Sequence, residues 1–384
     1  MNILFLEESL EPSTGGVERV TDIVARGLST YHNYNCFFIY SKYENLQNDP
    51  LYKNRLKISP TQHLDIIEKE ILTFISKNNI EIIISQRIDW KLINIYKQIK
   101  KQKPKIQIIY CLHLSPDYKK FYPKTWKSPI HEFFIKIKSK LQYGSYDELR
   151  GIYNICDKFV VLSNSFIPQF IKLYKIKNPN KLYSISNPRT FDNSIALQEV
   201  QKKENIVLIV ARLNELQKNI SAALNIWKRI QDYAIKNNWK LYIIGTGNDE
   251  SFLREYTKQL KLQNVYFLGK QINVKAYYEK ASIFMMTSKY EGFGMTLVEA
   301  LQNGCVPIVY DNFSVLHDII QDKSNGVIIT SNNEQEFVNN LMLLMNDHRR
   351  RISYSLNGIN STQKFSKETI CSCWNKLIKE LYTR

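Results

Sequence analysis

The sequence predicts an α/β chain of two domains, each a parallel sheet covered by helices on both faces. Three observations predict it. Short apolar runs of strand length alternate with segments of helical spacing through both halves. Those runs are apolar almost throughout, as strands buried on both faces require. The alternation breaks at Asn187-Pro188 and restarts at Ile206, and a chain of 384 residues suits two cores better than one.

In the first half, Asn2-Leu6 is a strand. Pro12-Ser13-Thr14-Gly15-Gly16 then leads into a helix from Val17, whose buried face is Val20, Ile23, Val24, Gly27 and Leu28. Gly15 and Gly16 let backbone approach a bound group just ahead of a helix start. Further strands are expected at Cys36-Tyr40, Glu81-Ser85, Ile106-Leu112 and Phe159-Leu162, with helices over Gln62-Lys77 and Trp90-Lys100. Ligands of such sheets bind outside the carboxyl ends of the strands, which is where His113 falls. Ser115 to Arg150 is punctuated by Pro116, Pro123 and Pro129. Ile130-Leu149 has the pattern of an amphipathic helix among lysines and aromatics. It reads either as an element facing a membrane or an acceptor, or as a helix packed on its own domain. Lys181 to Arg189 reads as a strand running into a proline-stopped turn, and the domain boundary is placed there.

In the second half, Ile206-Val210 is a strand, followed by a loop carrying Arg212 and Lys218. The helix after it has the apolar face Ile220, Ala223, Leu224, Trp227 and Ile230. Two cations on a loop after a strand can grip a diphosphate, each charged hydrogen bond worth ~1.5–3 kcal/mol when shielded from water. Leu241-Ile244 runs into Gly245-Thr246-Gly247, which lacks the third glycine of a dinucleotide fingerprint. Val265-Gly269 precedes Lys270 and Gln271. Ile283-Thr287 leads through Glu291, Gly292, Phe293 and Gly294 into a helix from Met295 to Gln302 that ends at Asn303-Gly304. Strand, glycine loop and helix together set backbone N–H groups and a positive helix end against a phosphate. Glu291 lies before that helix and Glu299 in its second turn. Carboxylates suit sugar hydroxyls because they are strong acceptors. Val306-Tyr310 and Gly326-Ile329 are the later strands, and Lys367-Tyr382 is the last helix.

Glu291 and Glu299, with seven residues between them inside EGFGMTLVEAL, resemble the signature of the retaining GT-B glycosyltransferases of family 4. Ala211-Arg212-Leu213, five residues and then Lys218-Asn219 is similar to that family's Arg/Lys pair, and GGVER from Gly15 resembles its first strand-to-helix loop. The resemblance covers nearly the whole chain. It implies a GT-B fold of two doubly wound, Rossmann-like domains facing across a cleft: residues 1–188 on the acceptor side and 189–365 binding the nucleotide sugar. Residues 366–384 would form a helix returning to the first domain. The implied reaction moves a sugar from a nucleotide-diphosphate donor to a hydroxyl with retention at the anomeric carbon. Glu291 and His113 would be the catalytic groups beside the donor sugar. Gly15, Gly16, Arg212, Lys218, Phe293, Gly294, Met295, Thr296 and Leu297 would hold the diphosphate. Lys270 and Gln271 would lie near the base, and Glu299 would hold the ribose. The leaving phosphate oxygen would take the acceptor proton. No Asp-x-Asp occurs in the chain, so a metal-independent hexosyl- or N-acetylhexosaminyltransferase is expected, with a UDP-sugar as co-substrate and no cofactor. A sugar-nucleotide epimerase and a non-catalytic binding protein of the same fold are the alternatives.

Composition bounds partners. The net charge of +17 gathers in the first half, at Lys97 to Lys105, Lys119-Lys120 and Lys124 to Lys140. A basic surface suits nucleic acid, an anionic membrane face or a phosphorylated acceptor, and the bland alternative is a solvated lysine-rich surface. Without zinc-finger spacing or an aromatic-basic RNA signature, no nucleic-acid partner is expected. Six scattered cysteines read mostly as small core residues, which fits a reducing cytoplasm. No apolar run is long enough to span a bilayer and the start does not read as a signal peptide. The expected place is the cytoplasm, peripheral on the inner face of the plasma membrane where the basic surface engages it. The expected acceptor is a glycan or a polyprenyl-diphosphate-linked oligosaccharide of bacterial surface polysaccharide synthesis.

Overall fold

The computed structural model describes residues 1–42, 49–59, 61–86, 92–117 and 146–382. The chain falls into two compact units, Met1–Pro188 with Phe365–Arg384, and Arg189–Lys364.

The first unit is built on a parallel sheet. Its strands are β1 (Asn2–Leu6), β2 (Asn35–Tyr40), β3 (Arg55–Lys57), β4 (Ile82–Ser85), β5 (Gln107–Leu112), β6 (Lys158–Val161) and β7 (Leu182–Ser184). They lie in the order β3-β2-β1-β4-β5-β6-β7, so the winding direction reverses between β1 and β4. The middle strands are buried on both faces, with Ile82, Ile83 and Ile84 wholly inaccessible, which is why they read as unbroken apolar runs. Edge strand β3, Arg-Leu-Lys, has no such run, and sequence periodicity does not reveal it. Helix Gly16–His32 turns the expected face inward and stops where Asn33 adopts φ 56°. Helix Leu64–Lys77 starts two residues later than expected, because Gln62 and His63 form the turn before it. The expected helix from Trp90 is described only from Leu92, as Leu92–Gln102.

Helix Lys367–Glu380 belongs to this first unit and packs on Gly16–His32 so closely that a Cβ on Gly27 would sit 2.1 Å from Cys371 Sγ. Tyr31 and Tyr34 donate to Glu368 and Asn375 at 3.0 and 2.6 Å, tying the helix down at two points. Of the amphipathic helix expected over 130–149, residues 130–145 lie outside the described residues, as does most of the basic segment, while 146–149 open helix Tyr146–Ile155. Of the described lysines between 97 and 105, Lys100 is structural: it pairs with Asp157 at 2.5 Å and donates to the Ile106 carbonyl.

The second unit repeats the plan with β8 (Glu204–Val210), β9 (Lys240–Ile244), β10 (Val265–Gly269), β11 (Ala281–Met286), β12 (Val306–Tyr310) and β13 (Val327–Ile329). Their order is β10-β9-β8-β11-β12-β13, again all parallel, with the reversal between β8 and β11. One core face gathers Val207, Ile209, Leu241, Ile243 and Met285 against Leu224 and Trp227 of helix Ile220–Lys236. A doubly wound sheet opens a crevice at the carboxyl side of its reversal point. In this unit the loops after β8 and β11 stand at that crevice.

Candidate functional site

The loop after β8 is held before any ligand arrives. From Val210 the chain passes through Ala211–Asn214 into the short helix Glu215–Lys218. Asn219, at φ 50°, then turns it into helix Ile220–Lys236. The Asn214 side chain caps the short helix by accepting from Gln217 N at 3.0 Å, and Asp249 accepts from Glu215 N at 2.7 Å. The extension of β9 backs the loop, with Ala211 N donating to Ile244 O and Leu213 N to Thr246 O at 3.0 and 2.9 Å. Such backbone contact leaves no room for side chains. A Cβ on Gly245 would lie 1.9 Å from Ala211 O, and one on Gly247 would lie 2.2 Å from Leu213 O. Gly245 also adopts φ 130°, which an L side chain resists. Gly245-Thr246-Gly247 is therefore a close-approach device that shapes the Arg212 loop.

The loop after β11 is stitched to the first. Thr287 donates to the carbonyl of Asn219 at 2.9 Å, and Lys289 N donates to Gln217 O at 2.8 Å. Gly294, at φ 85°, is the N-cap of helix Met295–Gln302, and its side-chain-free cap leaves the helix start open. The Leu297 amide is spent inside this turn, on Gly294 O at 2.8 Å. Phe293 and Leu297 bury their side chains, whereas Met295 and Thr296 are half-exposed at the helix start. Of the five diphosphate candidates on this stretch, Phe293 to Leu297, Met295 and Thr296 are therefore the best exposed.

Lys218 Nζ lies 2.6 Å from Glu291 Oε1, joining the two loops with a largely buried ion pair. These residues were expected to serve different parts of the donor, and the structure brings them together. Arg212, on the same loop as Lys218, is exposed and makes no ion pair among the described residues. Glu299 is only 2 % exposed and accepts from Thr190 Oγ1 at 2.7 Å and Tyr278 OH at 2.9 Å. After β10, Lys270 is exposed, while Gln271 donates to Leu268 O at 2.5 Å and accepts from Tyr277 OH at 3.1 Å.

The first unit places its candidates at the carboxyl edge of its own sheet. Gly15 is the extended N-cap of helix Gly16–His32, and a Cβ on Gly16 would meet nothing within 4 Å. His113 follows β5, its Nε2 lying 2.5 Å from Gln86 Oε1, and burial lowers its pKa to about 4. Among the described residues, no group of three His, Cys, Asp or Glu side chains could hold a metal ion.

Sequence reasoning missed Asn214, Asp249, Thr190, Tyr278 and Gln86. Asn214 had a readable signal, an N-cap residue at the head of a short helix. The others act across 21 to 109 residues of chain, through contacts that no local pattern encodes.

Residues 191–360 match the family described as "Glycosyl transferases group 1". The amylovoran biosynthesis glycosyltransferase AmsD of Erwinia amylovora is 27% identical over 231 residues, 59% of this chain and 63% of that protein. A Campylobacter jejuni enzyme, the alpha-1,4-N-acetyl-D-galactosaminyltransferase acting on a GalNAc-GalNAc-diNAcBac-PP-undecaprenol, is 30% identical over 239 residues, 60% of this chain and 62% of that protein. The match thus spans about six-tenths of the length of these relatives. Among solved structures, the pneumococcal O-GlcNAc transferase GtfA in complex with UDP and GlcNAc superposes with a TM-score of 0.76. It covers 100% of this chain and 99% of its own, at 12% identity, a likeness of fold. The fold is GT-B, two parallel-sheet Rossmann-like domains.

Proposed function

We propose that this chain, whose residues 191–360 belong to the glycosyl transferases group 1, moves a sugar from a UDP-sugar to a hydroxyl, with retention at the anomeric carbon. The acceptor in this reading is a glycan or a polyprenyl-diphosphate-linked oligosaccharide of bacterial surface polysaccharide synthesis, and the sugar a hexose or N-acetylhexosamine. The names of the Erwinia and Campylobacter relatives support the acceptor class, and the UDP in the pneumococcal structure supports the base.

The observation that carries the reading is the Lys218–Glu291 ion pair at the reversal point of the second sheet, on the same loop as exposed Arg212. A diphosphate entering that crevice meets two cations and the start of helix Met295–Gln302, so charge developing on the leaving group is met by groups already in place. Lys218 then shares itself between phosphate and Glu291, and Glu291 is held where it can orient the donor sugar. Glu299, fixed by Thr190 and Tyr278, receives the ribose hydroxyls. In this proposal the cations and the helix end take the place of a divalent ion, and the leaving phosphate oxygen takes the acceptor proton. Residence on the inner face of the plasma membrane is part of the same proposal, through exposed lysines such as Lys97, Lys101, Lys103 and Lys105.

A panel of nucleotide sugars, assayed for hydrolysis and for transfer to lipid-linked glycans with product stereochemistry read by NMR, tests it. Release of UDP with the α-linkage of the donor kept is the expected result, and turnover should survive a chelator. Absence of both turnover and nucleotide binding across the panel overturns the reading. Inversion overturns its stereochemistry, and a strict Mg²⁺ or Mn²⁺ requirement overturns its account of the diphosphate.

A further inference from the structure

Gln86 directly follows β4 and His113 directly follows β5, neighbouring strands paired with Ser85 opposite Tyr110. β4 borders β1 at the reversal point of the first sheet, where sheets of this kind bind ligands. Gln86 is 3 % exposed, and its Oε1 lies 2.5 Å from His113 Nε2. A carboxamide oxygen can only accept, so the proton of this hydrogen bond sits on the imidazole Nε2. Burial keeps the ring neutral, with its pKa lowered to about 4, and Nδ1 is then a bare acceptor. Nδ1 is shielded from solvent and has no hydrogen-bond partner among the described residues, and the same holds for Gln86 Nε2.

We infer that Gln86 is a positioning residue: by accepting the Nε2 proton of His113, it holds the ring in the tautomer whose Nδ1 accepts a hydrogen bond from a substrate hydroxyl. The opposite amide orientation would present Gln86 Nε2 as donor, force the proton onto Nδ1 and turn that atom into a donor. The choice between them decides which chemistry the first unit offers: an acceptor suits a hydroxyl, whereas a donor suits a carbonyl or a phosphate oxygen. The identity of that hydroxyl, on a sugar, rests on the proposed transfer reaction. The tautomer itself does not.

The test uses the full-length protein with its six histidines labelled with ¹⁵N, at pH 7 and without substrate. Wild type should show His113 protonated at Nε2, unprotonated at Nδ1, and with a slowly exchanging Hε2. Gln86→Leu should lose that proton signal to exchange while the other five histidines keep their shifts. Gln86→Glu, whose carboxylate still accepts from Nε2, should keep it. A wild-type ring protonated at Nδ1, or an Hε2 signal untouched by Gln86→Leu, overturns the inference. If transfer is observed, Gln86→Leu should lower kcat about 10-fold, the lower end of the cost of removing the partner that orients a metal-bound histidine. KM for the donor should hold within about twofold, since Arg212, Lys218 and Glu299, the proposed diphosphate and ribose contacts, lie in the second unit and are untouched. Equal loss in Gln86→Leu and Gln86→Glu would mark Gln86 as structural only and overturn it as well. A protein that turns over no nucleotide sugar still reports its tautomer, so the two readings fail separately.

Discussion

At the carboxyl edge of the second sheet, Lys218 reaches Glu291 across two loops, Asp249 and Asn214 hold the backbone, and Thr190 and Tyr278 hold Glu299. At the same edge of the first sheet, Ser41 Oγ, Ser85 Oγ, Gln86 Nε2 and His113 Nδ1 are shielded from solvent and have no partner among the described residues. The two units share a plan and differ at these edges; away from its edge the second unit also has unpartnered buried atoms among the described residues, Gln302 Oε1 and Asn303 Oδ1. A buried polar atom left unpaired costs about 1–3 kcal/mol, and folds keep such atoms chiefly where function requires them. The difference teaches that preorganisation sits in the second unit, as the proposed electrostatic role there requires. The first unit instead keeps polar groups in reserve.

The largest effect should come from breaking the pair. Lys218→Ala removes a charge that the proposed reaction needs most at its transition state, and turnover should fall by about 10²–10³. Glu291→Gln should separate the two partners. It frees Lys218 from its counter-ion, so a free nucleoside diphosphate should bind as well as or better than to wild type, while turnover with the intact donor falls. Calorimetry with UDP beside turnover decides it. If both variants weaken UDP alike, the pair is a structural clamp and the second unit is not poised as described.

Gly247→Ala asks whether the poise depends on the backing strand. The new Cβ would lie 2.2 Å from Leu213 O, and its nearest neighbours are backbone atoms that cannot swing aside. The loop should shift, with a stability loss of about 1–3 kcal/mol and weaker UDP binding. A variant that melts like wild type and binds UDP unchanged would show that the loop holds itself.

These predictions also mark what was legible in the sequence. The unbroken apolar runs of β1, β4, β5, β8 and β11 announce strands buried on both faces, and the restart after Pro188 announces the second unit. Edge strand β3 stayed hidden because an edge strand needs no apolar run. The loops carrying Arg212, Lys218, Glu291 and Gly294 were legible as strand-to-helix loops, and their expected roles came from resemblance to a family's motifs. The Lys218–Glu291 contact was not, since it joins residues 73 apart through the pairing of β8 with β11. Gly245 and Gly247 were visible but carried no meaning until Ala211 and Leu213 were seen against them.

The first unit's reserve has a pH signature. Burial holds His113 neutral and lowers its pKa from the ordinary 6.5 to about 4, so the unfolded chain binds that proton more readily than the folded one. The stability this group contributes is complete above pH ~6.5 and is lost as pH falls toward 4. Between pH 7 and pH 5 that loss is about 1–2 kcal/mol. Urea midpoints of wild type and His113→Asn at pH 7 and pH 5 measure it: the wild type should lose more on acidification. Equal losses would mean that His113 is not held neutral by the fold.

The smallest effect should come from Glu299, because more than one donor holds it. Tyr278 is fully buried, and its hydroxyl donates to Glu299 Oε2, while Thr190 donates to Oε1. Tyr278→Phe removes one donor and no ring, so packing against Phe191 and Phe284 stays. The carboxylate keeps its other anchor, and the loss should be about 1 kcal/mol in stability, the usual net worth of one hydrogen bond. UDP binding should weaken only a few-fold, because Glu299 can still turn an oxygen to the ribose. Adding Thr190→Val should cost more than the sum of the single changes, since only the double variant leaves a buried carboxylate without either donor. Strict additivity in that cycle would show that the two donors act independently and that Glu299 is anchored by something else. A double variant that binds UDP as tightly as wild type would remove Glu299 from the proposed ribose site.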